Sequence, residues 1–401
     1  MRAGSRCSTP RRPRTRLRRR CVTGFQGFPE QAEARRLLDA ALAEGPAHAY
    51  LFHGPPGVGK RRAALGFAGA LLGGAGGRAG KAATASERIA SDRVRGRVER
   101  RAHPDLYVLE PLGDQIRIDA IRELRRDLHM RPFEADRRVY LVFGADTLNE
   151  EAADALLKDL EEPPPYAVAV LVADDLGPLP ETILSRCQLV QFRRLSEATV
   201  RDEIRARAPE LSDHEAAALA RVARGRLDRV DRLLDPDSAR RREALLEVAR
   251  SVYRDPAFQP GEAAGVMMGI ASERAEEAKE RAQAENEELD LTSREKDQRT
   301  RRAMRGAERD EILLCLEELE AWYRDLVVVA AGAEVAAAHV DRLAELREDA
   351  TLEQLPGAEA AAEVVRETWR LFEELQLQAG LALEALFVKL HRALAGAASP
   401  A

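Results

Sequence analysis

Gly54-Pro55-Pro56-Gly57-Val58-Gly59-Lys60-Arg61 follows the apolar run Ala49-Tyr50-Leu51-Phe52 and leads into a helix-like segment from Arg61 to Leu72. Strand, glycine loop and helix in that order form the setting of a phosphate-binding loop. Glycines let successive N–H groups turn toward phosphate oxygens, the helix N-terminus adds its partial positive charge, and Lys60 is spaced to reach the terminal phosphates. An ordinary Gly/Pro turn would not need all eight positions in this context. One position departs from the pattern. Where a hydroxyl residue should hold magnesium, the chain has Arg61, so ATP or ADP can still bind but without a competent magnesium site.

Val139-Tyr140-Leu141-Val142 reads as a buried parallel strand. A hydrolysing enzyme ends such a strand with an Asp for magnesium and a Glu that activates water, and here those places hold Phe143 and Gly144. Asp146 reads as a helix N-cap or loop residue, because Thr147-Leu148-Asn149-Glu150 leads into a helix. Ile121, Leu124 and Leu128 recur at helical spacing, Ala152, Leu156, Leu157 and Leu160 form a second helical stripe stopped by Pro163 to Pro165, and Val168 to Val172 is a further strand. This alternation predicts an α/β domain with a parallel sheet covered by helices on both faces, its phosphate-facing site at the carboxyl ends of the strands. Asp174 and Asp175 follow the last strand, where an active nucleotidase would carry a polar sensor of the γ-phosphate.

The order of HAYLFHGPPGVGK (His48 to Lys60), HPDLYVLEP (His103 to Pro111), IRIDAIRELRRDL (Ile116 to Leu128), NEEAADALLKDLEEPP (Asn149 to Pro164) and LPETILSRCQ (Leu179 to Gln188) resembles the delta-prime family of bacterial DNA polymerase III clamp-loader subunits. The resemblance spans roughly residues 25 to 200 and implies an AAA+ chain in three parts: a RecA-like parallel-sheet domain, a small helical lid and an all-helical C-terminal collar. It places them at residues 22–195, 196–235 and 236–401. It further implies a stator in the pentamer that loads the sliding clamp on primed DNA, with gamma/tau and delta subunits as partners and the clamp and primer-template DNA reached through the complex. Ser185-Arg186-Cys187 occupies the family's arginine-finger motif, so Arg186 is the residue expected to act catalytically, in trans, at a neighbouring gamma/tau ATP site. The lone chain is then not an active ATPase, although it would belong to a holoenzyme that is a DNA-directed DNA polymerase. Relatives with a second nucleotide sensor place an arginine where this chain has Asp228, and an acid there would repel triphosphate. Arg226 and Arg229 face other sides of the same helix and read as solvated charges.

Composition bounds the alternatives. With 401 residues the chain is long enough for two or three domains, and without a run of eighteen apolar positions no membrane span is expected. A formal net charge of −5 and 4% aromatic residues argue against a dedicated DNA-binding adaptor, which needs a basic stripe with stacking rings. Arg61, Phe143 and Gly144 count against an active motor of the gamma/tau or branch-migration kind. The 4 cysteines, at positions 7, 21, 187 and 315, have no paired spacing, so neither disulfides nor zinc are expected and a cytoplasmic location follows. Gly73 to Arg101, where many relatives carry a four-cysteine zinc module, should be metal-free and partly flexible. His103 then reads as the residue leading into a strand.

Met1 to Arg20 holds nine arginines and no acid, with Pro10 and Pro13 interrupting any helix. Residues 1–21 therefore read as a disordered tail or as a start assigned too early, with Val22 as the alternative start. Beyond Asp235 the chain reads as helical: residues 272–311 as a long, densely charged exposed helix, then amphipathic stripes at Ile312, Leu313, Leu316, Leu319, Tyr323 and Leu326, and at Leu383, Leu386, Phe387, Leu390 and Leu394.

Overall fold

A computed structural model describes residues 30–74, 85–113, 115–287, 292–375 and 377–395. The arginine-rich residues 1–21 and the proposed start at Val22 lie outside the described residues, as do residues 75–84 of the Gly/Ala/Arg-rich stretch.

Five strands, β1 (Ala49–His53), β2 (Leu106–Leu109), β3 (Arg138–Phe143), β4 (Ala167–Ala173) and β5 (Gln188–Gln191), form one parallel sheet in the order β2-β3-β4-β1-β5. Successive side chains of a strand point to opposite faces, and here both faces are covered, which is why the central strands are apolar without interruption. Tyr50, Phe52, Val139, Leu141, Phe143, Val168, Val170 and Val172 pack on one side with α1 (Ala32–Glu44), α2 (Lys60–Leu72) and α3 (Ala85–Glu99). Leu51, Tyr140, Val142 and Leu171 pack on the other with α4 (Ile118–Leu128) and α5 (Glu150–Glu161). The described part of the Gly73 to Arg101 stretch is thus ordered as α3. Its Val94 and Val98 lean on the sheet core, and Arg95 closes over Gly69 of α2.

Of the two readings of Asp146, helix N-cap or loop residue, the second holds. It lies in a 3-10 turn, Ala145–Thr147, and the cap of α5 is Asn149, whose side chain accepts the Ala152 N–H at 3.0 Å. A four-residue helix, α6 (Glu181–Leu184), connects β4 to β5 and delivers Arg186 just after its end.

After the sheet, α7 (Glu197–Arg207), α8 (Asp213–Ala223) and α9 (Leu227–Leu234) enclose a small core of their own around Val200, Ile204, Ala220 and Val230. A larger helical core follows, built from α10 (Pro236–Arg254), α11 (Pro260–Glu287), α12 (Ser293–Ala330), α13 (Leu343–Asp349), α14 (Leu355–Glu374) and α15 (Ala379–Ala395). Both predicted stripes lie in it, with Leu316, Leu319, Tyr323, Leu383, Phe387 and Leu390 fully buried.

The expected single helix over residues 272–311 is corrected. Two helices, α11 and α12, cover this stretch and pack against each other. Thr292 caps α12 in a reciprocal capping box with Glu295, and the buried Asn286 amide bridges to the Lys296 carbonyl at 3.1 Å and the Thr300 hydroxyl at 3.2 Å. Side-chain capping satisfies the first free N–H groups of a helix, so a new helix begins here at lower cost than an uninterrupted charged rod would suggest.

Candidate functional site

The glycine loop runs from the end of β1 into α2 with the conformation its sequence requires. Gly57 has φ +71°, and a Cβ there would lie 1.6 Å from Asp228 Oδ1, so only glycine fits beneath that carboxylate. Val58 is buried and Gly59 ends the loop in the left-handed region before Lys60 opens α2. Pro55 and Pro56 complete the turn.

Lys60 does not point into open space. Its side chain is 4% exposed, and the ammonium donates to the carbonyl of Gly54, to the carbonyl of Pro55 at 2.6 Å, and to Asp174 Oδ1 at 2.6 Å. An ammonium has three donors, and all three are used inside the chain. Burial lowers the Lys60 pKa, and the adjacent Asp174 offsets part of that shift. Asp174 follows β4, adjacent in the sheet to β1, and its backbone N–H donates to Asp146 Oδ2 at 3.2 Å. Burial and the Asp174 charge raise the Asp146 pKa.

The two departures from a hydrolytic motif meet. Arg61 stacks its guanidinium 4.5 Å from the centroid of Phe143 and pairs with Glu110, to which Arg101 also donates at 2.9 Å. A fixed cation thus lies over the strand end where an acidic pair would hold magnesium and activate water. Among the described residues no three His, Cys, Asp or Glu side chains converge as metal ligands would.

The first turn of α9 closes the loop from above. Leu227 N–H donates to the Gly57 carbonyl at 2.6 Å, which sets Asp228 on the loop. Arg226 grips that carboxylate through Nε at 3.2 Å and Nη2 at 2.7 Å, and its Nη1 reaches both oxygens of Glu317 on α12 at 3.0 and 3.1 Å. Arg229 joins Glu317 at 2.7 Å. The reading of Arg226 and Arg229 as solvated charges is therefore wrong: their side chains are only 8% and 11% exposed, and α12 supplies the carboxylate that makes burial tolerable. Burial alone would raise the Asp228 pKa, but the bonds and charge of Arg226 hold it below the ordinary value.

Arg186 sits apart from this loop. Its Nη1 donates to the Thr182 carbonyl at 2.9 Å and to Ser185 Oγ at 3.3 Å, and its Nη2 meets Glu161 Oε1, at the end of α5, at 2.5 Å. One third of the side chain remains exposed. The next residue, Cys187, is buried, which pushes its thiol up to about 12 and leaves it a packing residue.

A glycine loop between β1 and α2 at the carboxyl edge of a parallel β2-β3-β4-β1-β5 sheet, with a three-helix lid packed on that loop, defines an AAA+ fold. Within that class the match is specific: residues 30–196 fit the family described as "DNA polymerase III, delta subunit". A delta' subunit of DNA polymerase III from Bacillus subtilis is 31% identical over 207 residues, 52% of this chain and 60% of that protein. The delta' subunit from Pseudomonas aeruginosa is 38% identical over 178 residues, 43% of this chain and 50% of that protein. The tau subunit from Bacillus subtilis is 30% identical over 166 residues, 41% of this chain and 28% of that protein. The matches thus span about half the length of the delta' relatives. Residues 30–196 are thus similar to the delta-prime subunits of DNA polymerase III.

Proposed function

We propose that this chain is the non-hydrolysing stator of a clamp-loader pentamer and lends Arg186 to the ATP site of an adjoining gamma/tau-type subunit. The observation that carries the reading is a contrast in availability. Lys60 spends all three donors within the chain, whereas Arg186 keeps Nε–H and one Nη2–H without a partner among the described residues and is partly exposed. A guanidinium brought to a neighbour's γ-phosphate stabilises the charge of the transition state, and such fingers contribute about 10³ to 10⁵ in rate at the site they serve. In this role the chain works in the cytoplasm beside gamma/tau and delta subunits, with the sliding clamp and primer-template DNA reached through the assembly. Nucleotide at its own loop has no hydrolytic part, and no zinc is required.

The test is a reconstituted pentamer differing only at Arg186. Arg186→Ala is expected to leave assembly intact, abolish DNA-stimulated turnover at the one site facing this subunit, and slow clamp loading. Arg186→Lys should recover little, because a point charge cannot reproduce a planar fork. Unchanged turnover and loading would remove the residue from the mechanism.

A further inference from the structure

We propose that Glu161 is a positioning residue for the Arg186 guanidinium, an inference that rests on the trans-acting reading of Arg186 given above. Two of the three groups that hold Arg186, the Thr182 carbonyl and Ser185 Oγ, belong to its own short turn and fix it only relative to α6. The third, Glu161 Oε1, belongs to α5, a twelve-residue helix packed on the sheet core through Ala152, Leu156 and Leu160. A side chain held from two segments keeps one orientation relative to the sheet. Held from its own turn alone, it swings with that turn. Since 1 Å of misplacement can cost about a hundredfold in rate, the second anchor matters for a group that must meet a phosphate on another subunit.

The location of Glu161 supports a purpose. It is the last residue of α5, and Glu162 caps the same end. Carboxylates are disfavoured there, because the free carbonyls of a helix C-terminus already carry partial negative charge. Lys158 in the last turn is the residue type that local electrostatics asks for, and Glu161 is opposed unless a cation answers it. Pro163 follows two residues later and prevents the helix from running past this point, which fixes where the carboxylate emerges. The cation that answers is Arg186. Glu161 is 49% exposed, so the pair orients the guanidinium without burying it, and the two donors without a partner among the described residues can serve a phosphate.

The test uses reconstituted pentamers carrying wild-type, Glu161→Ala, Glu161→Gln, Arg186→Ala or Glu161→Ala/Arg186→Ala forms of this chain, with DNA-stimulated ATP turnover as readout. Glu161→Ala is expected to lower kcat at the served site about ten- to a hundredfold with KM for ATP and assembly unchanged. Glu161→Gln should recover most of the rate, since the amide oxygen still accepts the Nη2 bond. The double variant should be no slower than Arg186→Ala alone. Full activity of Glu161→Ala, a rise in turnover that marks the carboxylate as a competitor for the arginine, or an additive loss in the double variant would each overturn the inference while leaving Arg186 in place. An inert Arg186→Ala would defeat the trans-acting reading, and this inference with it.

Discussion

The phosphate loop and the Arg186 corner are built from the same pieces, a cation, a carboxylate and nearby backbone carbonyls, yet the two arrangements leave opposite possibilities. At the loop, Lys60 is 4% exposed and bound by Gly54, Pro55 and Asp174, while Asp228 rests on Gly57 under the grip of Arg226. At the corner, Arg186 is held by Thr182, Ser185 and Glu161 but remains a third exposed with donors to spare. The number of donors and the degree of burial decide which cation is available to a ligand. An ammonium with three acceptors around it is finished chemistry. A planar guanidinium with three of five donors engaged among the described residues is oriented and keeps two for a ligand.

The largest effect on that comparison is expected at Arg226, which ties the loop to the collar helix through Asp228 and Glu317. Removing one partner of a buried ion pair costs about 3–5 kcal/mol, and since Asp228 and Glu317 retain some contact with water, Arg226→Ala should destabilise the chain by about 2–4 kcal/mol. Chemical denaturation measures this, and hydrogen exchange at Leu227, whose N–H donates to the Gly57 carbonyl, should accelerate with it. A loss below about 0.5 kcal/mol, the range of an ordinary surface substitution, would mean that the lid rests on the loop without the arginine and that the loop is less closed than its geometry implies.

This clasp also marks the limit of what the sequence makes legible. The loop Gly54 to Arg61, its flanking strand and helix, the central strands and the amphipathic stripes of the collar are all readable, because each depends on residues adjacent in the chain. Position 174 is readable as a sensor site, yet its bond to Lys60 depends on β4 lying beside β1, a fact of sheet order. Arg226 and Arg229 look solvated on their own helix because the carboxylate that buries them belongs to α12. Glu161 carries a readable signal, an acid at a helix C-terminus just before a proline run, but its partner lies 25 residues on. The start of α12 at Ser293 is the instructive miss. Thr292-Ser293-Arg294-Glu295 is a capping-box sequence, and the dense charge pairs on either side of it masked the start of a new helix.

The comparison can be broken at the loop itself. If Asp228 and the engaged Lys60 close it, wild-type protein should bind ADP no more tightly than Lys60→Ala does, by calorimetry without magnesium. Asp228→Asn removes a negative charge that would face phosphate while preserving shape and one contact to Arg226. At about 4 Å in a solvated setting one charge pair is worth about 1 kcal/mol, so affinity should rise several-fold. Tight, Lys60-dependent ADP binding by the unaltered chain would show that the loop opens readily and that the contrast with Arg186 is one of the resting state only.

A third cation among carboxylates sharpens the rule, because this one titrates. His339 is buried in the collar, with Nδ1 at 2.8 Å from Asp325 Oδ2 and Nε2 at 3.2 Å from Glu318 Oε1, its ring edge-on to Trp322. Arg242 pairs with Glu318 at 2.5 Å and Arg324 with Asp325 at 3.1 Å, so both acids also face arginines. Burial would lower the His339 pKa, but its bonds to Asp325 and Glu318 outweigh that and raise it. A group whose pKa is higher folded than unfolded adds stability that is complete below the unfolded value, about 6.5 for histidine, and is lost as pH rises through the folded value. The melting temperature should therefore fall as the pH is raised from about 6 into the alkaline range. His339→Gln should start lower and lose that slope, since an amide keeps hydrogen-bonding capacity without a titrating charge. A slope equal in both proteins would assign the pH dependence elsewhere and leave His339 neutral in the fold, a buried ring accepting and donating hydrogen bonds rather than a cation held between acids.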